Sequence, residues 1–238
     1  MDNNFIHSQD GYTREISREF FRNVYSYMFG ALGISGLIAY TCGTPEFFAK
    51  YFINAAGTGI SPIMWVVVFA PLVLGLVIQW AYDRLSMGLL LGLFIAYSAL
   101  MGLSLSTIFL VYNLSAIAMT FFVSAGAFAG MAVLGYTTKT DLTKFGSLLY
   151  MVFIGMFIAG IVNIFLGNSM LDFIISVLGV FVFTGLTAYH MQQLKGLSEN
   201  AGISELQRSK LALIGGLQLY ILFVNLFLSL LRILGSRD

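Results

Sequence analysis

The stretch "FTGLTAYHMQQLKG", residues 183–196, is where titratable chemistry is sought first. An apolar run passes Thr187 and Tyr189 and sets His190 where polar residues begin. The chain has only two histidines, His7 and His190. An unperturbed imidazole titrates near neutral pH. Three roles are therefore open at His190: a single-residue pH sensor, a metal ligand, or a polar side chain reaching for water or a neighbouring helix. At a helix end, the C-terminal dipole would favour its protonated form.

The elements that carry this histidine are set by composition. Of 238 residues, 58% are hydrophobic and 10% charged, with a mean hydropathy of +0.88. A soluble domain carries about a quarter charged residues. The apolar residues come in runs of roughly 20, the length that crosses a hydrocarbon core. The runs are continuous rather than alternating, so the spans are helices and not barrel strands. The net charge of +1 and the absence of a basic stripe give no footprint for nucleic acid. The single Cys42 excludes an intrachain disulfide and a multi-cysteine metal site.

Seven spans are expected near 21–42, 61–82, 86–111, 114–136, 145–167, 170–191 and 209–233, preceded by a tail over 1–20. The first is too long, and starts too late, for a cleavable signal peptide. Orientation follows from Lys and Arg. Arg14, Arg18, Arg22, Arg84, Lys139, Lys144, Lys195, Arg208 and Lys210 fall on one side, and Lys50, Arg232 and Arg237 on the other. The N terminus is expected in the cytoplasm and the C terminus outside. In the tail, Asp10, Arg14, Glu15, Arg18, Glu19 and Arg22 recur at helical spacing, with Ile16, Phe20 and Phe21 between them. This reads either as a helical extension of the first span or as a partner-docking surface. The pairs Gly88–Gly92 and Gly126–Gly130, and the run Gly30, Gly33, Gly36, have the spacing that lets helix backbones approach; they read as packing within the bundle.

No Asp, Glu, Lys or Arg lies inside the apolar body of a span, since Asp172 and Arg232 sit near ends. Proton relays and coupled transporters keep ionisable groups at depth. Lys210 stands at the start of the last span, which rules against a retinal-binding lysine. No paired acid, Ser–His set or metal cluster can be drawn, so an enzyme is not expected, and no cofactor or metal site either. The polar residues at depth are neutral: Gln79, Tyr97, Ser104, Asn163, Gln218, Tyr220 and Asn225. Asn163, Gln218, Tyr220 and Asn225 read as helix–helix contacts or as the lining of a polar pathway. Thr140 or Asp141 is a candidate cap for the fifth span.

"MGLSLSTIFLVY" (101–112), "GYTTKTDLTKFGSLLYM" (135–151), "NIFLG" (163–167), "FTGLTAYHMQQ" (183–193) and "LYILFVNLFLSLLRILG" (219–235) resemble the Bax inhibitor-1 family, also called the transmembrane Bax inhibitor motif family. The similarity is greatest to its bacterial members and begins near residue 20. The resemblance implies an all-α membrane protein with six helices around a central seventh. It implies a pH-sensitive calcium leak, with calcium as permeant ion, and roles in stress and cell-death responses. For a bacterial member it implies the inner membrane and contact with a membrane-bound AAA protease. Family members commonly carry Asp after "LTAY" and in "LYLDF", a carboxyl pair that senses pH and gates the calcium path, with an arginine late in the second helix as latch. Here those positions are His190, Leu222 and Ala81. Paired carboxyls raise one another's pKa and become a switch, and calcium seeks several oxygen ligands. Leu222 supplies none and His190 supplies nitrogen, so the resemblance implies a leak with altered or lost pH gating. A regulator that acts by binding other membrane proteins is the alternative.

Overall fold

A computed structural model of the chain describes residues 3–54, 59–200 and 202–235, with side chains from Glu15 onward. The helices are α1 (Asn3–Cys42), α2 (Pro45–Tyr51), α3 (Pro62–Ala81), α4 (Met87–Leu105), α5 (Leu114–Thr137), α6 (Thr143–Leu166), α7 (Ser169–Ser198) and α8 (Glu205–Leu234). All but α2 are long and apolar enough to cross a membrane. The protein is an all-α membrane protein with the seven spans expected from its sequence. Three features depart from the sequence reading. The short α2 lies in the first loop, and α4 tightens into a 3-10 turn over Ser106–Leu110. Helix α7 continues seven residues past its expected end at 191. The described part of the tail is a helical extension of the first span, since α1 runs unbroken from Asn3.

The ends are written locally. Ser61 accepts from Ile63 N–H at the start of α3, with Pro62 as its first residue, and Ser86 accepts from Leu89 N–H at the start of α4. Such caps satisfy donors that a helix start leaves free. Between α6 and α7, Gly167 takes the left-handed conformation (φ 61°) and donates to Asn163 C=O. Asn168 then accepts from Leu171 N–H and opens α7. Only glycine adopts that φ without strain, so the two helices are joined by a tight turn.

The chain divides into two compact units. One holds α1 up to Arg18, α5, α6, α7 and α8 from Gln218; the other holds α1 from Glu19, α2, α3, α4 and α8 through Leu217. In the first unit, a Cβ on Gly135 would run into the Ala188 backbone, one on Gly146 would meet the Tyr189 ring at 2.6 Å, and one on Gly185 would meet Leu149 at 2.6 Å. Helices α5 and α6 are thus pressed against α7 around residues 185–189. In the second unit, a Cβ on Gly102 would meet Ser35 C=O at 2.7 Å, and one on Gly216 would meet the Tyr27 Cβ at the same distance.

The glycines singled out by spacing behave otherwise. Gly30, Gly33, Gly36, Gly88, Gly92, Gly126 and Gly130 would meet no described atom within 4 Å. Their faces are open, which corrects the expectation that they pack the bundle. Spacing states that a backbone approach is sterically permitted; it does not state which face turns inward. Burial is uneven along the chain. In the most apolar stretch of each span, 72% of residues are buried in α8, against 39% in α7 and 11% in α6. The large apolar side chains left exposed, among them Phe122, Met151, Ile164 and Phe165, face the medium that a membrane helix is built for.

Candidate functional site

His190 stands eight residues before the end of α7, about 12 Å inside it at ~1.5 Å per residue. It is only 6% exposed. This corrects the picture of a histidine on a helix end reaching for water. The helix dipole does little for a side chain so far from the end, because its effect fades beyond the last turn. Instead the imidazole Nε2 lies 2.6 Å from the Tyr150 hydroxyl on α6. The Tyr150 and Tyr189 rings stand edge-on to the imidazole, with centroids at 6.1 and 5.5 Å. Gln218, on α8, is close enough for its carboxamide to act on the ring, yet Nδ1 makes no hydrogen bond. The groups that face His190 from α6, α7 and α8 are thus two tyrosines and a carboxamide, all neutral.

The reason lies in sequence. Gly146 leaves room for Tyr189, and one turn on, Tyr150 turns its hydroxyl toward α7. Leu222 lies one turn beyond Gln218 on α8, about 6 Å along the axis, and is buried. Where the resemblance implies two carboxyls, the structure has an imidazole bonded to a phenol and a leucine packed in the interior. Ala81, at the place of the latch arginine, ends α3 in the other unit.

The remaining candidates bond mostly within their own helices. Asn163 Oδ1 accepts from Asn168 N–H at 3.0 Å across the α6–α7 turn. Asn225 donates to Ile221 C=O at 2.8 Å and accepts, at its carbonyl, from Ser229 Oγ. Tyr220 is fully buried. Among the described residues, no three His, Cys, Asp or Glu side chains gather as a metal-binding group.

Two arrangements escaped the sequence reading. Gln192 on α7 clamps the α5–α6 loop: its Oε1 accepts from Leu142 N–H at 2.8 Å, and its Nε2 donates to Thr140 C=O at 2.7 Å. Close by, Lys195 donates to Tyr136 C=O at 3.0 Å and lies over the Tyr136 ring. In the same loop Asp141 accepts from Thr143 N–H at 2.9 Å, but Leu142 holds the N-cap position of α6 without a side-chain cap, which corrects the expectation that Thr140 or Asp141 fills it. The Asp141 carboxyl is held below its ordinary pKa by hydrogen bonds from Thr143. At the opposite end of α7, Asp172 pairs with Arg232 of α8 at 3.4 Å. The signal for Tyr150 was a lone polar tip in an apolar run; for Gln192 there was none beyond its polarity.

Seven membrane-crossing helices and a neutral polar cluster between α6, α7 and α8 define the class, an integral membrane protein with its chemistry between helices. The particular family follows from comparison. The profile described as "Inhibitor of apoptosis-promoting Bax1" matches residues 17–238. A Borreliella burgdorferi protein is 40% identical over 93% of this chain and 94% of its own length. The inner membrane protein YbhL of Escherichia coli is 45% identical over 71% of this chain and 73% of its own. A Caulobacter vibrioides protein is 41% identical over 92% and 89%. The chain belongs to the Bax inhibitor-1 family.

Proposed function

We propose that this protein is an inner-membrane cation leak whose gate is the neutral His190–Tyr150 contact rather than a carboxyl pair. The inner-membrane location rests on the likeness to YbhL, and the N terminus faces the cytoplasm by the distribution of Lys and Arg. The observation that carries the reading is the 2.6 Å bond between Tyr150 and the buried His190. It ties α6 to α7 at the position where the family places a gating acid. Two coupled carboxyls titrate as a unit and switch over a narrow pH range; an imidazole and a leucine offer no such coupling. The leak is therefore insensitive to the pH steps that act on a carboxyl pair, and no catalytic step is assigned to these residues.

The test is calcium flux into liposomes between about pH 6 and about pH 8. The parent, Tyr150→Phe, and His190→Asp with Leu222→Asp are compared. The expected result is a small, flat leak in the parent, a larger one in Tyr150→Phe, and pH dependence in the double variant alone. A silent parent and silent Tyr150→Phe, beside a leaking double variant, remove the channel reading. The second reading, a regulator that binds other membrane proteins such as a protease, draws on the α1 face where Glu15, Arg18, Glu19 and Arg22 are exposed. Its check is crosslinking of the parent against a variant with those four residues changed to Ala. An unchanged partner set takes that face out of the argument.

A further inference from the structure

The α5–α6 loop and the part of α7 that clamps it carry a charge arrangement that the leak does not use. The loop occupies 138–142, where α5 has just ended and α6 is about to begin. Two consecutive spans enter and leave the hydrocarbon there, so the loop sits at headgroup level. Lys139 is exposed on it and Lys144 in the first turn of α6 beside it, and Lys195 is folded against it from α7. None of the three has a salt bridge among the described residues, where the ion pairs are Arg22–Glu19 and Asp172–Arg232. The one acid in the loop, Asp141, accepts from Thr143 N–H and lies near enough to Lys144 to feel its charge, without a salt bridge between them. Tyr136 and Phe145 flank the lysines and are 39% and 51% exposed, as aromatic residues at the membrane boundary are.

The loop is also held in one shape. The Gln192 carboxamide bonds a carbonyl on one side of Asp141 and an N–H on the other, so this turn is fixed from a neighbouring helix. Lys195 spends one ammonium hydrogen on Tyr136 C=O, which leaves two donors free. A fixed loop with three lysines against one carboxylate at headgroup depth, bordered by interfacial aromatics, is complementary to a phosphate that carries a net negative charge. Zwitterionic headgroups carry a balancing cation and are not.

We propose that the α5–α6 loop, with Lys139, Lys144 and Lys195, is a binding site for the headgroup of an anionic phospholipid.

The test is native mass spectrometry of the full chain released from nanodiscs of phosphatidylcholine with and without phosphatidylglycerol. Retained lipids are counted for the parent, for Lys139→Gln with Lys144→Gln, for Gln192→Ala, and for Lys50→Gln as a basic residue elsewhere. Each lysine near an anionic surface is worth about fivefold in affinity. The parent is expected to retain phosphatidylglycerol preferentially, and the double variant to bind it about 25-fold more weakly. Gln192→Ala, with every charge in place, is expected to fall between them, and Lys50→Gln to match the parent. Equal retention of the two lipids by the parent overturns the proposal. So does a double variant that matches the parent, or a Lys50→Gln loss as large as that of the double variant. The double variant changes exposed side chains that make no hydrogen bond or salt bridge among the described residues, so loss of binding is not confused with loss of fold.

Discussion

Near one end of α7, Asp172 meets Arg232 at 3.4 Å with both side chains in reach of the surroundings, 35% and 46% exposed. Two turns inside the other end, His190 meets Tyr150 at 2.6 Å and is 6% exposed. The same helix thus keeps its full charges at a margin and only neutral groups at depth. The contrast follows from the cost of burying a charge, which a partner offsets only when its geometry is good; a neutral polar pair costs less, even with the imidazole Nδ1 left without a hydrogen bond. The change from a carboxyl pair to an imidazole and a leucine is a change from the first kind of site to the second. It removes a group that must be charged, paired or shifted to survive in the interior.

The contrast is most sharply tested by the backbone contact that walls the inner site. Gly135→Ala sets a methyl against the Ala188 backbone, where no flexible side chain can give way. A loss of about 3 kcal/mol, the upper end for overpacking, is expected in thermal unfolding in detergent. The matching change at Gly126, whose face is open, is expected to cost nothing measurable. If the two variants melt alike, the close approach of α5 to α7 is wrong.

Next in size is Tyr150→Phe, which leaves the His190 Nε2 buried without its partner and costs about 1–3 kcal/mol. A double-mutant cycle with His190→Leu isolates the pair, and additivity of the two changes would deny the bond any energetic role. At the charged margin, Asp172→Asn is expected to cost no more than about 1 kcal/mol, since both partners are partly exposed. That loss should shrink as salt is raised. A cost that equals the Tyr150→Phe value and ignores salt would erase the distinction between the two sites.

The smallest effect belongs to Asp141. Its carboxyl titrates below the ordinary value because Thr143 donates to it. The folded state therefore gains from the charged form. That gain is present above the unfolded carboxyl pKa and is lost as pH falls through the lower, folded value. Asp141→Asn keeps an acceptor for Thr143 and is expected to flatten the acid side of the stability profile with little change at neutral pH. An acid limb identical to that of the parent would show that the Thr143–Asp141 bond carries no linkage.

Much of this architecture is legible in the residues. Apolar runs of membrane-crossing length depend only on local composition, and the seven spans lie close to where hydropathy puts them. The turn at Gly167–Asn168 is likewise written in its residue types. Misreadings arose where one helix had to be placed against another. The end of α7 was read at the first polar residues, whereas Met191, Leu194 and Ser198 are buried and carry the helix onward. The glycines chosen by spacing face outward, while Gly135, Gly146 and Gly185, which carry no such spacing, make the contacts around His190.

Taken alone, the sequence determined the medium in which this protein lives, the number of its spans, and the replacement of an expected acid pair by His190 and Leu222. Those properties follow from residue identity and order along one chain. Only the tertiary structure decided that His190 is interior and bonded to Tyr150, that Gln192 holds the α5–α6 loop, and that Asp172 finds Arg232. Those depend on the rotation of each helix about its axis, which the close packing of side chains fixes. In spans apolar on nearly every face, as here, no periodic stripe announces it.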